Sequence, residues 1–502
     1  MALLDRSEWY NVARDTNWTP KYVTEDQLFP KEMSDIFDIP IERWNRYDEP
    51  YKVSYREYVK VQREKDTAAY SVKSALERYD FYDRADPGWM SILKMHYGGV
   101  IGVEFGSAST QARFTRFGKG PGMRNMGTFG SLDEIRHTQT QLYFAHELVS
   151  RDQETGYHYT WATKALQTNN WVSIAVRHVF EDMEHTRDAV STAVMTTFSF
   201  ETAFTNLQFI ALSADASKVG DHVFSNLIQS IQSDEARHAQ IGIEVLRAMI
   251  DSGKVAEAQK LVDISFWLCW RQFSVLTGLA MDYYTPLDQR EHSFKEFMQE
   301  WVVKQFERQL LDLGLKKPWY WDIFLQDIDE FHHSQHIGVW LTRPTVWWNP
   351  PAGVTPAERE WLERKYPGWN DTFGKVWDVI TENILKGHPE KTFLEAIPML
   401  CHMSNLAITG VPGKNWRVKV YDLEYEGRHY HFGSEVDRWI FLEDPGRYKG
   451  FRTLVDRFLD GDVQPQTGDG TLDYMGILHE GGVDAHNYAW AEAFRARFDK
   501  AS

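Results

Sequence analysis

Asp133-Glu134-Ile135-Arg136-His137 returns later in the chain as Asp234-Glu235-Ala236-Arg237-His238. Each copy sets a glutamate and a histidine three residues apart. On a helix that spacing stacks both side chains on one face, near enough to share a metal ion. One Glu-x-x-His is ordinarily a solvated pair. Here each copy also has a glutamate upstream on a separate helix, Glu104 before the first and Glu201 before the second. A glutamate from each of two helices and a Glu-x-x-His from each of two others form the ligand set of a carboxylate-bridged di-iron centre in a ferritin-like bundle.

The flanking sequence supports four long helices. Asp86-Pro87 has the form of a helix start, with Asp as cap and Pro in the first turn. From Trp89 onward, Leu93, Tyr97, Val100, Glu104, Ser107 and Ala108 share one stripe. A lone carboxylate on that apolar or small-residue face costs several kcal/mol to bury unless a cation meets it. Gly118-Lys119-Gly120-Pro121-Gly122 breaks the chain, and no proline then occurs until Pro286. The spacing predicts a helix from the middle 120s to about 148, with Glu134, His137 and Gln141 on one face. A polar loop is expected around 150–158, then a helix containing Trp171–Arg187. Another is expected from Asp188 to about 214, turning Val194, Phe198, Glu201, Phe204, Thr205, Gln208, Phe209 and Leu212 inward. Gly220-Asp221 ends it and caps a helix to about 250, which carries Phe224, Leu227, Ile228, Ile231, Glu235, His238 and Ile241.

The remainder surrounds this core. Pro20, Pro30, Pro40 and Pro50 mark residues 1–60 as an extended arm with short helical pieces and docking aromatics, among them Trp9, Trp18, Trp44 and Tyr47. A helix is expected from the fifties to the early eighties, and further helices at 255–281, 292–313, 318–340, 356–366 and 371–387. Trp340–Pro351 reads as irregular. After Gly410-Val411-Pro412-Gly413 the character changes. Val418–Tyr425 alternates as a strand, Glu426-Gly427 turns, His429–Phe432 returns, and a short helix follows from Ser434 to about Leu442. The expected fold is therefore mainly α: an arm (1–60), a ferritin-like helical domain (61–410) and a small α+β appendage with a tail (411–502).

Composition narrows the function. The 502 residues are 43% hydrophobic and 25% charged, with a formal charge of -17, which argues against nucleic acid or an anionic membrane as partner. The two cysteines, Cys269 and Cys401, form no Cys-x-x-Cys, so no thiolate zinc or iron–sulfur site is expected. Neither a signal peptide nor a membrane-spanning run is apparent, and a cytoplasmic location is expected.

Oxygen donors with imidazole suit iron or manganese better than thiolate does. Six protein ligands for two metals leave positions for oxygen and solvent. Asp133, Arg136, Asp234 and Arg237 are expected to orient the histidines and offset charge, although the sequence leaves open which aspartate meets which histidine. A third instance, Glu330-Phe331-His332-His333 followed by His336, has no matching partner motif and is assigned no metal. No flavin, nicotinamide or iron–sulfur motif is found, so electrons must come from another protein.

Nearly the whole chain, from residue 1 to about 480, resembles the large (alpha) subunit of bacterial multicomponent di-iron monooxygenases, with toluene and xylene enzymes foremost and alkene and isoprene enzymes next. The likeness rests on Thr16–Pro20, Tyr47–Tyr51, Gln62-Arg63-Glu64-Lys65-Asp66, Phe200-Glu201-Thr202, Phe204-Thr205-Asn206, Ser230–His238, Met281–Pro286 and Ser293–Phe297. The resemblance implies one iron on Glu104, Glu134 and His137, and the other on Glu201, Glu235 and His238. It makes Thr205 the active-site threonine that helps deliver protons. It assigns Val100, Val103, Ser107, Gln141, Phe180, Phe200 and Phe209 to the substrate cavity, and Asn206 and Gln232 to a pore. It further implies beta and gamma subunits in an (αβγ)2 assembly and a cofactorless effector protein. Electrons would come from NADH through a reductase and a Rieske-type ferredoxin that carry FAD and [2Fe–2S]. The expected reaction inserts one atom of O2 into a small hydrophobic arene, with alkene epoxidation as the alternative. Position 103 is Val where the toluene enzymes carry Gly, and 107 is Ser where they carry Ala, changes expected to narrow the cavity and alter regiochemistry or substrate size. The segment 421–448 is similar to a small YHS-type module, with Gly433 and Asp437 where such modules often carry metal-binding Cys, so a metal-free structural appendage is expected. A radical-generating reductase subunit is disfavoured because Gln141 stands where that chemistry wants tyrosine. A non-enzymatic iron-binding or structural subunit is disfavoured because the ligand set is complete.

Overall fold

The computed structural model describes residues 4–15, 21–49, 51–76, 81–151, 165–348, 350, 353–392, 398–413, 420–475, 495 and 498–499. Helix α1 spans Tyr55–Leu76, α2 Pro87–Phe117 and α3 Pro121–Arg151. Asp86 caps α2 through the Gly88 amide, as its sequence implies. The break between α2 and α3 is only a few residues long, because Pro121 begins α3 rather than delaying it to the middle 120s. The two form an antiparallel hairpin.

Helix α4 spans Trp171–Phe180 and continues as a π-wound turn, Glu181–His185. The next rod, α5, is Ala189–Thr192, a π-helical run Ala193–Thr205 and Asn206–Val219. It therefore runs past the expected end near 214, and its middle is not an α-helix. Gly220 closes it at φ 88°, a left-handed conformation that costs glycine nothing. Asp221 caps α6, His222–Asp251, by accepting from the Phe224 amide at 3.0 Å. Its other oxygen accepts from the Trp89 indole at 3.1 Å, which pins the start of α6 to the start of α2. The hairpins α2–α3 and α5–α6 make the four-helix bundle, and α1 packs across α6.

Large aromatics fill two apolar regions around the bundle. One includes Phe198, Phe204, Phe266, Trp267 and Phe306, and draws on α5 and on α7, Val255–Leu279. The other includes Trp89, Tyr97, Trp171, Trp340, Trp347 and Trp377. The irregular tryptophan-rich segment is thus interior, with the Trp347 indole donating to the Met95 carbonyl at 3.3 Å. Trp44 and Tyr47 of the arm are buried against the chain's own bundle, whereas Trp9 is exposed. The helix α1 begins inside the span expected for the arm. Trp18, most of the polar loop at 150–158, Val418 and nearly all of the tail after 475 lie outside the described residues. No helix among the described residues is long and apolar enough to cross a membrane.

The appendage is a two-stranded antiparallel hairpin, β1 (Tyr421–Tyr425) and β2 (Arg428–Phe432), followed by α8 (Glu435–Glu443). Buried Asp437 accepts from the Trp267 indole of α7 at 3.0 Å and from the Ser434 hydroxyl at 2.7 Å. Its carboxylate joins the appendage to the helical domain.

One close approach makes a test of the packing. A Cβ on Gly242 of α6 would lie 2.6 Å from the Phe198 backbone nitrogen in α5. The expected outcome of Gly242→Ala is a loss on the order of 1–3 kcal/mol from overpacking, read as a lowered calorimetric unfolding midpoint.

Candidate metal centre

The four bundle helices bring Glu104, Glu134, His137, Glu201, Glu235 and His238 into one buried group. Their potential ligand atoms form two overlapping clusters. One is Glu104, Glu134, His137 and Glu235, and the other is Glu134, Glu201, Glu235 and His238, each with its atoms within 4.8 Å of one another. Glu134 and Glu235 belong to both. Glu134 Oε2 lies 3.5 Å from His137 Nδ1 and its Oε1 lies 3.2 Å from His238 Nδ1. Glu235 Oε1 lies 3.2 Å from His137 Nδ1 and its Oε2 lies 3.6 Å from His238 Nδ1. Each carboxylate thus divides its oxygens between the two histidines, the arrangement a bridging ligand requires. Glu104 and His137 thus lie at one end of the group, Glu201 and His238 at the other, and Glu134 and Glu235 between them.

The electrostatics fit cations at this place. Burial pushes the Glu104 and Glu201 carboxyls well above the usual range, with the negative charge of Glu134 adding to both. His137 and His238 are held well above the ordinary imidazole value although burial opposes it, because Glu104 faces the first and Glu235 the second. Glu201 Oε2 is buried without a hydrogen-bond partner among the described residues. A donor set of four carboxylates and two imidazoles suits iron or manganese. Binding such ions must displace protons from these groups.

The far side of each imidazole answers the question the repeats leave open. His137 Nε2 meets Asp234 at 3.3 Å, and His238 Nε2 meets Asp133 at 3.1 Å. The pairing is crossed: each repeat's aspartate holds the other repeat's histidine. Arg237 donates to both aspartates, and Arg136 donates to Asp234 at 3.2 Å and to Asp66 at 2.8 Å. Helix α1 adds Lys65, whose ammonium lies 2.5 Å from Asp234, and Gln62. Sequence reading used these two only as part of a family string; Gln62 and Lys65 lie one turn apart on α1, and their shared face was the available signal.

Beside the cluster lies an apolar cavity of about 70 Å³. Val100, Val103, Ser107, Phe180, Phe200 and Phe209 line it, together with Thr205 and the carboxylates Glu104, Glu134, Glu201 and Glu235. Gln208 and the α7 residues Gln272, Phe273 and Leu276 complete walls that the sequence did not assign to it. Gln141 does not line it. Its amide donates to Glu104 at 3.0 Å and its carbonyl oxygen pairs with His96 at 2.9 Å, so it supports a ligand instead. Asn206 and Gln232 also lie off the cavity lining, Asn206 buried and Gln232 half-buried. Thr205 Oγ1 donates to the Phe200 carbonyl at 3.3 Å, a bond across the π-wound turn.

Sequence reading missed Glu184. It is buried on the π turn after α4, accepts from the Ser107 hydroxyl at 2.9 Å, and is pushed up to about 8 chiefly by burial. It therefore puts a neutral carboxyl behind one cavity wall at pH 7.

The third Glu-x-x-His behaves differently. Glu330 stays apart, and Asp282 converges with His332 and His333. Asp282 Oδ2 accepts from His332 at 2.8 Å and from the Tyr366 hydroxyl at 2.5 Å, while His333 Nδ1 pairs with the Tyr283 hydroxyl at 2.6 Å. Hydrogen bonds account for that convergence.

Two outcomes are expected. Metal loading releases protons and tightens as pH rises, observable as acidification of a weakly buffered solution during titration. For Glu184, the folded chain keeps a proton between the ordinary value of 4.5 and about 8 that the unfolded chain gives up, so stability falls as pH rises through that window. Glu184→Gln is expected to lack this loss, and its advantage in calorimetric midpoint over the parent protein grows from pH 5 to 8.

Comparison with known proteins gives the family. Residues 18–253 match the model of the Methane/Phenol/Alkene Hydroxylase family. The chain is 44% identical over 495 residues to the alpha subunit of the oxygenase component of an alkene monooxygenase system from Xanthobacter autotrophicus, covering 98% of each chain. It is 26% identical over 468 residues to the oxygenase component of a Pseudomonas phenol 2-monooxygenase, covering 88% of this chain and 84% of that one. The crystal structure of phenol hydroxylase from Pseudomonas sp. OX1 superposes with a TM-score of 0.87 over 99% of this chain and 100% of that one, at 22% identity. The chain belongs to the methane, phenol and alkene hydroxylase family, as the oxygenase alpha subunit of a multicomponent di-iron monooxygenase.

Proposed function

We propose that this subunit inserts one atom of O2 into a small alkene, using two iron ions held by Glu104, Glu134, His137, Glu201, Glu235 and His238. The observation that carries the reading is the division of the Glu134 and Glu235 oxygens between His137 and His238. When bound, the two irons would supply the redox chemistry for activating dioxygen, with electrons from an external donor protein. The chain's own residues do the rest. Val100, Val103, Phe180, Phe200, Phe209 and Phe273 hold an apolar substrate against the carboxylate face and exclude water from it. Thr205, on the same wall, carries a hydroxyl proton that is parked on the Phe200 carbonyl and is available to the reacting oxygen by side-chain rotation.

Two facts favour an alkene over toluene or benzene. The relative with 44% identity is an alkene monooxygenase subunit. A cavity of about 70 Å³ is smaller than the roughly 150 Å³ apolar cavity that takes up benzene, and so suits a molecule of a few carbon atoms. An aromatic hydrocarbon is the second reading, favoured by the aromatic walls. Asn206 and Gln232 are assigned to the solvent pore beside Thr205 and Asp234. The working enzyme is a cytoplasmic assembly with beta and gamma subunits, (αβγ)2. It works with an effector protein and is fed from NADH by a reductase with FAD and [2Fe–2S] and by a Rieske-type ferredoxin.

The test is product analysis by mass spectrometry with the iron-loaded complex, all partner components and a panel of small alkenes and arenes. Epoxide as the main product supports the proposal; phenols or cresols alone would transfer it to the arene reading. Glu104→Ala and His238→Ala are each expected to reduce turnover to background. Val103→Gly is expected to enlarge the cavity and shift the product ratio toward larger substrates.

A further inference from the structure

We propose that Gln62 of α1 is a positioning residue that ties the two halves of the metal centre together. The inference rests on the ligand assignment above. Gln62 is buried and lies outside the four ligand-bearing helices. Its Nε2 donates to Asp133 Oδ1 at 2.7 Å and to Asp234 Oδ1 at 2.9 Å. The other oxygen of Asp133 faces His238, and the other oxygen of Asp234 faces His137. One amide group therefore spends its two hydrogens on two carboxylates, each of which orients one metal-facing imidazole.

The orientation of the amide follows from charge. Turned over, it would set its oxygen against two carboxylates; as placed, its Oε1 lacks a partner and Nε2 has both. A neutral double donor is what this position needs. Leucine or methionine at 62 would leave both aspartate oxygens short of a hydrogen bond. Glutamate would add a carboxylate to a pair of them. Arg237 also donates to both aspartates, but it meets Asp133 at Oδ2, the oxygen that faces His238, whereas Gln62 holds Oδ1. Of the two aspartates, Lys65 and Arg136 reach only Asp234, so without Gln62 the Asp133 carboxylate keeps His238, Arg237 and the Tyr58 hydroxyl, while Asp234 keeps His137, Lys65, Arg136 and Arg237. Loss of Gln62 thus weakens the His238 side more than the His137 side, and the two metal positions become unequal. Residues of this kind set metal affinity through the ligand they orient, with effects of about 10–100-fold.

The test uses the full chain with its co-purified subunits, anaerobic ferrous ion as the probe, a competing chelator to measure affinity, and Mössbauer spectra of the loaded protein. Gln62→Met and Gln62→Glu are compared with the parent, with circular dichroism as the check on folding. The expected result is about a tenfold or greater loss of affinity for iron in both variants, concentrated in one of the two ions, with a second quadrupole doublet separating from the first. Parent-like affinity and spectra in either folded variant overturn the proposal. Should Gln62→Met fail to assemble, Gln62→Glu, which keeps the shape, decides it by the same readouts. Parent protein that takes up no iron pair would sink the ligand assignment itself, whereas a normal parent with normal variants removes Gln62 alone.

Discussion

Four carboxylates buried round two imidazoles constrain everything else in this molecule. Carboxylates placed that close inside protein repel one another and lose their hydration, so the group persists only with matching positive charge. The chain supplies part of the match itself through Arg136, Arg237 and Lys65, set behind the aspartates rather than among the ligands. That placement leaves the inward faces of the glutamates for cations. It also explains why the aspartates cross over. Each hairpin of the bundle is held to the other through a histidine, so the metal positions cannot form unless both hairpins have docked.

Much of this could be read from the residues in order. The repeated pentapeptide and the two upstream glutamates carried the helical core and the buried group of carboxylates and imidazoles, and Asp86, Gly220 and Asp221 marked helix ends because their chemistry is local. What escaped was either long-range or hidden by uniform burial. The π-wound run Ala193–Thr205 is buried on nearly every side, so hydrophobic periodicity there carries no signal that separates one helical winding from another. Gln62 and Glu184 are polar residues whose partners lie on other helices, at Asp133 and Asp234 for one and at Ser107 for the other. Nothing in their immediate neighbours announces those contacts. Gln141 was placed on the correct face, but its partner Glu104 sits on the next helix, and only the packing distinguishes a ligand's support from a cavity wall.

The π winding and the cavity belong together. An α-helix would repeat its side chains every 3.6 residues, whereas the wider turn of α5 puts Phe200, Glu201 and Thr205 on one wall while still burying Phe198 and Phe204 in the opposite packing layer. Such windings give up regular hydrogen-bond geometry for placement of side chains, which is why they gather at working sites. The turn carrying Glu184 is of the same kind. Ser107 lines the cavity and bonds to Glu184 behind it, so a polar contact stands at this wall as well as at the carboxylate face.

That turn has a further attachment. Asp182, two residues before Glu184, accepts from Arg447 at 3.0 Å and from the Tyr448 hydroxyl at 3.2 Å, contacts spanning 265 and 266 residues of chain. As the polypeptide leaves the ribosome, all four bundle helices emerge before Arg447 and Tyr448 do. The turn that carries Glu184 is therefore braced by residues synthesised well after it, and a chain cut before Arg447 would lack these two contacts to Asp182.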